Sequence, residues 1–225
     1  MGARVNAAHV YERALAGLLG HPPTLRFTLD ACRALIARGI RGAFVECGVA
    51  YGSHPAVMAA TAAESGELDR GVHLFDSFEG IPRWGVNDAE QPGMTAGTEP
   101  VRDGALATTG ISACSLAQVR ANLRAWGVDD AACVYHPGWF QHTVEPASKS
   151  IGSIAHLRLD GDLYESTRVC LEHLYPRVVP GAVVVVDDYA LAGCRKAVDE
   201  YLAARGERPD IQPIDGGHGP VWWRR

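Results

Sequence analysis

The sequence lacks the features that would tie the protein to a membrane or to nucleic acid. No apolar run among its 225 residues reaches the roughly 20 residues that a membrane-spanning helix needs. Residues 1–6 do not form the apolar core of a secretory signal, and Asn6 stands where a myristoylation motif has Ser or Thr. A net charge of −5 supplies no basic surface for nucleic acid or anionic lipid. We therefore expect a cytoplasmic protein that acts on small molecules.

Paired cysteines, internal repeats, charge blocks and linkers are also missing. The six cysteines form no Cys-x-x-Cys pair and have no regular spacing, and Cys47 and Cys170 lie within apolar stretches. This distribution predicts reduced and mostly buried thiols. The chain is long enough for one good core, so we expect residues 1–225 to form a single domain that can also assemble into a homo-oligomer.

Short apolar strands alternate with amphipathic helices. Two helices are predicted within residues 1–40, the second capped by Thr24, and the predicted strands cover 43–48, 72–76, 132–136, about 154–159 and 182–186. The tail, residues 211–223, is typical of a β-hairpin. Because right-handed crossovers join consecutive parallel strands, the order predicts an α/β fold with a doubly wound, mostly parallel, Rossmann-like sheet and an antiparallel C-terminal hairpin.

Residues 77–112 show no helical or strand periodicity and are rich in Gly, Pro, Thr and Asp. A connection of this length within a compact domain is either functional or disordered. It begins beside Asp76, an acid at a predicted strand end. We therefore expect a lid insertion rather than a disordered insert.

Acidic residues follow two of the predicted strands. Asp160 and Asp162 come after the strand that ends at Leu159, and Asp187 and Asp188 come after the valine strand. Ligands bind beyond the carboxyl ends of parallel strands, where these acids would crowd together. Asp160 and Asp188 could instead cap the following helices, which leaves Asp162 and Asp187 unexplained. Since crowded anions need a proton or a cation among them, we expect Asp160, Asp187 and Asp188 to hold a divalent metal ion.

A glycine loop follows the first strand. Dinucleotide-binding loops have the pattern GxGxxG, whereas this loop offers only Gly48 and Gly52. That argues for a ligand with an amino acid tail, such as S-adenosylmethionine. Glu46 could face the ammonium of this ligand, or it could stabilise the loop. Asp76 could bind a ribose or cap a turn, and we favour the ribose. The aromatic pair after Gly138, Trp139-Phe140, could stack on adenine or pack under the lid.

Five motifs resemble the macrocin O-methyltransferase (TylF-type) family: Glu46-Cys47-Gly48-Val49, Phe75-Asp76-Ser77-Phe78-Glu79-Gly80-Ile81-Pro82, Gly138-Trp139-Phe140, Leu159-Asp160-Gly161-Asp162-Leu163-Tyr164-Glu165-Ser166-Thr167 and Asp187-Asp188-Tyr189. The family has the class I methyltransferase fold and uses S-adenosylmethionine and a divalent metal, usually magnesium. It methylates hydroxyls, typically on sugars of natural products. The resemblance implies that Asp160, Asp187 and Asp188 bind Mg²⁺, that Asp162 is the general base, and that Asp76 binds the cofactor ribose.

We accordingly expect an S-adenosylmethionine- and Mg²⁺-dependent O-methyltransferase for a sugar hydroxyl of a glycosylated natural product. A phenolic or catechol hydroxyl is the alternative acceptor, and a nicotinamide-dependent oxidoreductase is the alternative class. His218, in a glycine-rich turn, is a spare candidate for the base. The residues expected to contact the cofactor lie at four strand ends: Glu46, Gly48, Ala50, Gly52, Ser53, Asp76, Ser77, Gly138, Trp139, Phe140 and Asp160.

Overall fold

Seven strands and seven α-helices make up the computed structural model, which describes residues 5–88, 100–101, 105–217 and 219–225. The strands are β1 (Ala43–Cys47), β2 (Val72–Asp76), β3 (Cys133–Pro137), β4 (Ile154–Leu159), β5 (Val178–Val186), β6 (Gln212–Pro213) and β7 (Val221–Arg224). The helices are α1 (Ala7–Leu15), α2 (Pro22–Ala37), α3 (Ser53–Glu64), α4 (Leu116–Trp126), α5 (Phe140–Ile151), α6 (Tyr164–Leu174) and α7 (Ala192–Ala204). Short 3₁₀ turns cover Val86–Asp88, Asp130–Ala132 and Tyr175–Arg177.

The strands form one sheet in the order β3-β2-β1-β4-β5-β7-β6. Strands β1 to β5 pair in parallel, while β7 is antiparallel to both β5 and β6. This confirms the predicted doubly wound sheet with an antiparallel C-terminal hairpin. The strand order reverses between β1 and β4, so a crevice opens beyond their carboxyl ends, where such sheets bind ligands.

Helices cover both faces of the sheet. Helices α1 to α4 pack on the face that carries Phe44 and Val183, and helices α5 to α7 pack on the face that carries Val45 and Val184. A central parallel strand is buried on both faces, which is why β5 ends in an unbroken run of four valines, residues 183–186, rather than in an alternating pattern. The six cysteines are free, buried thiols, as predicted. None of the helices in the described ranges combines the length and apolar character needed to cross a bilayer.

Two helices differ from the sequence prediction. Helix α5 was not predicted, because Pro146 lies inside it and pattern rules stop a helix before a proline. Burial of Val144 and Ile151 against the sheet stabilises this helix despite the proline. The predicted cap of α2 at Thr24 was wrong. Proline at the first helical position starts the helix at Pro22, three residues earlier than a cap at Thr24 would, and the Thr24 hydroxyl donates to the carbonyl of His21.

The described ends of the predicted lid, residues 77–112, form an ordered ribbon. Backbone bonds join Ile81 to both Thr109 and Ile111 in antiparallel fashion. Beyond the ribbon, Asp88 is buried and its Oδ1 accepts a hydrogen bond of 2.8 Å from the first amide of α6, that of Tyr164. The segment is therefore tethered to the helix beside the cleft. Residues 89–99 and 102–104 lie outside the described residues, and the lid role remains a prediction.

Candidate active site

A cleft of about 360 Å³ lies at the carboxyl ends of the central strands. Loops after β1, β2, β3, β4 and β5 line it, together with Leu19 and Gly20 from the α1–α2 loop and with Ile81 and Pro82 from the ribbon. Nine of the residues predicted for the site are in this lining: Gly48, Ala50, Asp76, Ser77, Trp139, Phe140, Asp160, Asp162 and Asp187. The carboxyl ends of the strands thus bring most of the predicted residues into one cavity.

The glycine loop after β1 approaches the end of β4 so closely that no side chain fits between them. Gly48 has φ of +90°, and a Cβ placed on it would lie 1.7 Å from the carbonyl oxygen of Asp160. Only glycine combines an unstrained positive φ with the absence of a Cβ at this close approach. The loop contacts the backbone of the metal-ligand candidate directly, so the glycine sets how β1 and β4 meet at the floor of the cleft.

Asp76 connects the β1 and β2 loops. Its Oδ2 accepts hydrogen bonds from the amides of Val49 (2.6 Å) and Ala50 (3.3 Å), and its Oδ1 accepts one from Phe78 (2.6 Å). Burial raises the pKa of this carboxyl, and the three amide bonds oppose that rise. Asp76 therefore does cap turns. Oδ1 accepts only one of these bonds and keeps a second lone pair, and Asp76 lines the cleft, so the ribose contact stays a prediction beside the structural role.

Four acids meet at the cleft: Asp160, Asp162 and Asp187 line it, and Asp188 lies directly beside them. Asp160, Asp187 and Asp188 each offer a carboxylate oxygen, and the three oxygens lie within 4.8 Å of one another. Asp188 also accepts a hydrogen bond of 2.8 Å from the amide of Asp162, which has φ of +58°. Burial and then the charge of Asp160 raise the pKa of Asp162 to about 7, and the same causes raise the pKa of Asp188.

Arg158 is a site residue that the sequence analysis missed. Its side chain is 2% exposed, and Nη1 donates to Glu46 Oε1 (2.8 Å) and Asp160 Oδ2 (2.7 Å) while Nη2 donates to Asp187 Oδ1 (2.6 Å). The sequence predicts a cation among the acids, and this guanidinium supplies one positive charge. The sequence does contain a signal for this residue, because a charged side chain within an apolar parallel strand needs buried partners.

The other predicted cofactor residues lie outside the cleft lining. Glu46 is 1% exposed and pairs with Arg158, so the structure shows it as a buried partner beneath the site. Gly52 lies against Leu123 of α4, and the Ser53 hydroxyl donates to a carbonyl of α1. Gly138 provides a turn with φ of +129°. Their proposed contacts with the cofactor remain predictions, and His218 lies outside the described residues.

Comparison with known proteins identifies the family. A model of the macrocin O-methyltransferase (TylF) family matches residues 24–225. The chain belongs to the TylF family.

Two similar sequences and one similar solved structure agree with this assignment. The chain is 39% identical over 190 residues (84% of this chain, 68% of the relative) to 8-demethyl-8-(2,3-dimethoxy-alpha-L-rhamnosyl)-tetracenomycin-C 4'-O-methyltransferase of Streptomyces olivaceus. It is 36% identical over 192 residues (85% and 69%) to demethyldecarbamoylnovobiocin O-methyltransferase of Streptomyces niveus. The solved O-methyltransferase NovP superposes with a TM-score of 0.78 at 31% identity, covering 91% of this chain and 80% of that one.

These comparisons confirm the resemblance seen in the sequence. The protein is an S-adenosylmethionine-dependent O-methyltransferase of the TylF family. The nicotinamide alternative was therefore wrong: the loop after β1 lacks the glycine pattern of dinucleotide-binding proteins, and the family transfers methyl groups.

The acid cluster of this TylF-family chain has a donor set suited to a hard divalent cation. Arg158 occupies one oxygen each of Asp160 and Asp187, and the other oxygen of each has no hydrogen bond among the described residues. In the same part of the chain, no Lys or Arg pairs with Asp162 or Asp188. One guanidinium thus leaves negative charge uncompensated, and carboxylate oxygens are the ligands that Mg²⁺ prefers. The residues present fit the metal.

Proposed function

We propose that the protein methylates a hydroxyl on the sugar unit of a glycosylated natural product, with Mg²⁺ bound by Asp160, Asp187 and Asp188. The observation that carries this proposal is that Asp160, Asp162 and Asp187 line the same cleft as the glycine loop, with Asp188 directly beside them. A sugar acceptor is favoured because the Streptomyces olivaceus relative is described as a 4'-O-methyltransferase of a rhamnosyl tetracenomycin. A phenolic hydroxyl is the second candidate.

In this proposal, Asp162 is the general base. Its backbone amide is held by Asp188 and its carboxylate lines the cleft, so the base is fixed relative to the proposed metal ligands. Burial, the largest cause of its raised pKa, makes it a stronger base than an ordinary aspartate, whose pKa is about 3.9. A divalent cation would supply Lewis acidity that lowers the pKa of the acceptor hydroxyl. Asp162 then takes the hydroxyl proton.

The remaining residues orient the two reactants. The glycine loop and Asp76 would hold the methyl donor, and the apolar rim formed by Leu19, Ile81 and Pro82 would contact the body of the acceptor. The acceptor oxygen attacks the methyl carbon, and the sulfonium becomes a neutral thioether as the carbon–sulfur bond breaks. Because the donor loses its positive charge, positioning by the cleft contributes much of the rate.

A methyl-transfer screen tests the proposal. The chain is incubated with S-adenosylmethionine labelled in its methyl group and with matched panels of deoxysugar glycosides, their aglycones and simple catechols, with Mg²⁺ or with EDTA. We expect label on the glycosides in the presence of Mg²⁺ and none on the aglycones. Transfer to catechols alone would replace the sugar by a phenol, and full transfer in EDTA would remove the metal from the proposal.

A further inference from the structure

A buried guanidinium next to a proposed cation site needs an explanation. Arg158 is nearly inaccessible, yet it carries a positive charge within 2.8 Å of two of the three proposed metal ligands. Simple electrostatics would make this charge compete with a metal ion for the same carboxylates. Arg158 must therefore either weaken metal binding or stabilise the arrangement of the metal ligands enough to offset the repulsion.

The sheet register shows how Arg158 reaches its partners. It lies on β4, the strand between β1 and β5, and its Cα is in register with Glu46 on β1 and with Val185 on β5. One end of the guanidinium donates to Glu46 and Asp160, and the other end donates to Asp187 after β5. The planar fork of arginine has the geometry to join carboxylates from three neighbouring strands, whereas the single ammonium of lysine does not.

Glu46 holds the Arg158 guanidinium from beneath the cleft. Its carboxylate is 1% exposed and does not line the cleft, so it is placed to hold the guanidinium rather than a substrate. Each of the two outer contacts takes one oxygen of an aspartate and leaves the other oxygen without a partner in the described structure. Asp160 and Asp187 also each contribute one carboxylate oxygen to the set that converges with Asp188.

We propose that Arg158, anchored by Glu46, is a positioning residue that holds Asp160 and Asp187 with one oxygen each directed toward the metal. The inference rests on the metal site of the proposed function. Without the fork, the two carboxylates repel each other and must be ordered by the incoming ion itself. Groups that orient metal ligands in this way commonly change metal affinity by about 10- to 100-fold when removed.

The sign of the effect on metal affinity decides between the two roles. If Arg158 only competes with the cation, then replacing it by a neutral residue should tighten metal binding. If it positions the ligands, then the same replacement should weaken metal binding although a repulsive charge is lost. The probe is Mn²⁺, which suits carboxylate ligands as Mg²⁺ does and can be counted by its electron paramagnetic resonance signal without any turnover.

Four variants keep the experiment interpretable. Arg158→Lys retains the charge but not the fork, and Arg158→Met combined with Glu46→Gln removes both buried charges so that no lone carboxylate is left in the core. Glu46→Gln alone keeps an acceptor oxygen for the guanidinium. The matched control is Arg70→Lys, because Arg70 is also buried and ion-paired, with Glu67, but lies at the amino ends of the strands.

We expect the Mn²⁺ Kd to rise about 10- to 100-fold in Arg158→Lys and in the double variant, less in Glu46→Gln, and not at all in Arg70→Lys. Circular dichroism and binding of S-adenosylhomocysteine verify that each variant is folded. An unchanged or lower Kd in the folded Arg158 variants, or an equal rise in Arg70→Lys, overturns the positioning role. If the unaltered protein binds no Mn²⁺, the metal of the proposed function fails first, and this inference fails with it.

Discussion

Replacing Asp162 by asparagine removes the proposed base with little other change. The residue has φ of +58°, a conformation that asparagine adopts about as readily as aspartate. The backbone amide that donates to Asp188 is retained, so the loop after β4 keeps its bond of 2.8 Å. Asp162 is not among the three acids whose oxygens converge within 4.8 Å, so these remain available to a metal. The substitution therefore isolates the carboxylate.

The expected loss follows from the role of the carboxylate. A positioned general base contributes about 10² to 10⁴ in rate, which corresponds to about 2.7 to 5.5 kcal/mol of transition-state stabilisation. We expect kcat of Asp162→Asn to fall within this range. The Kd for S-adenosylhomocysteine should stay nearly constant, because the glycine loop and Asp76 are unchanged. Binding of Mn²⁺ should weaken only slightly, since one nearby negative charge is lost.

Steady-state transfer of labelled methyl groups to the best glycoside gives kcat, and calorimetry with S-adenosylhomocysteine gives the cofactor affinity. Asp162→Ala serves as the comparison, because it lacks the same carboxylate but adds backbone strain at a positive φ. Both variants should lose kcat to a similar degree, and only the alanine variant should also lose thermal stability. If Asp162→Asn retains more than about a tenth of kcat, the proton goes to another group and the mechanism is wrong.

Three further outcomes follow from the structure. His156 is fully buried, and neither of its ring nitrogens has a hydrogen bond in the described structure. Burial lowers the pKa of this imidazole to about 3. Between pH 6.5 and 3 the unfolded chain therefore binds a proton that the folded chain does not. Urea unfolding should show that His156→Leu is more stable than the unaltered protein at pH 7. Below pH 6.5, the free energy of unfolding of the variant should change with pH less steeply, by about 1.4 kcal/mol per pH unit. An unchanged slope would contradict the assigned burial. Gly48→Ala places a methyl group against the Asp160 carbonyl and should lower thermal stability and S-adenosylhomocysteine affinity together, whereas Gly66→Ala, at an open turn with a similar φ, should affect stability alone. EDTA should abolish methyl transfer and Mg²⁺ should restore it, while activity that persists in the chelator would show that the acids serve without a metal.

The sheet and the acid cluster were predictable because both depend on residue type at strand ends. Apolar runs such as β5 identify buried parallel strands, and the carboxyl ends of such strands lie at the same edge. Asp160 and Asp187 therefore had to meet, whatever the lengths of the loops between them. The position of the two acids at this edge depends neither on side-chain rotamers nor on the helices on either face, which is why it could be predicted from the sequence alone.

Arg158 and helix α5 were not predictable by the same means. The position of Arg158 in an apolar strand indicates a partner, but its three partners come from three strands, and the choice among them depends on the sheet register. Helix α5 contains Pro146 and has few apolar residues, so its stability comes from packing against the sheet rather than from local preference. Both features are decided by tertiary contacts that sequence patterns do not contain.

Backbone strain at the cleft shows that a structural role of the acids is compatible with the functional role that we propose for them. Among the described residues, the non-glycine positions with positive φ are Ala50, Phe78, Ser112 and Asp162, and all lie in loops at the cleft. Carboxylates accept hydrogen bonds from three of their amides: Asp76 from Ala50 and Phe78, and Asp188 from Asp162.

Each such conformation costs about 1–2 kcal/mol, and a hydrogen bond to a charged group offsets about that amount. The structural reading of these acids and the functional one are therefore not alternatives. A carboxylate that keeps a strained loop in place is thereby fixed beside the space where the donor and acceptor would bind. Removing Asp76 or Asp188 should therefore cost stability and ligand binding together, which distinguishes them from Asp162.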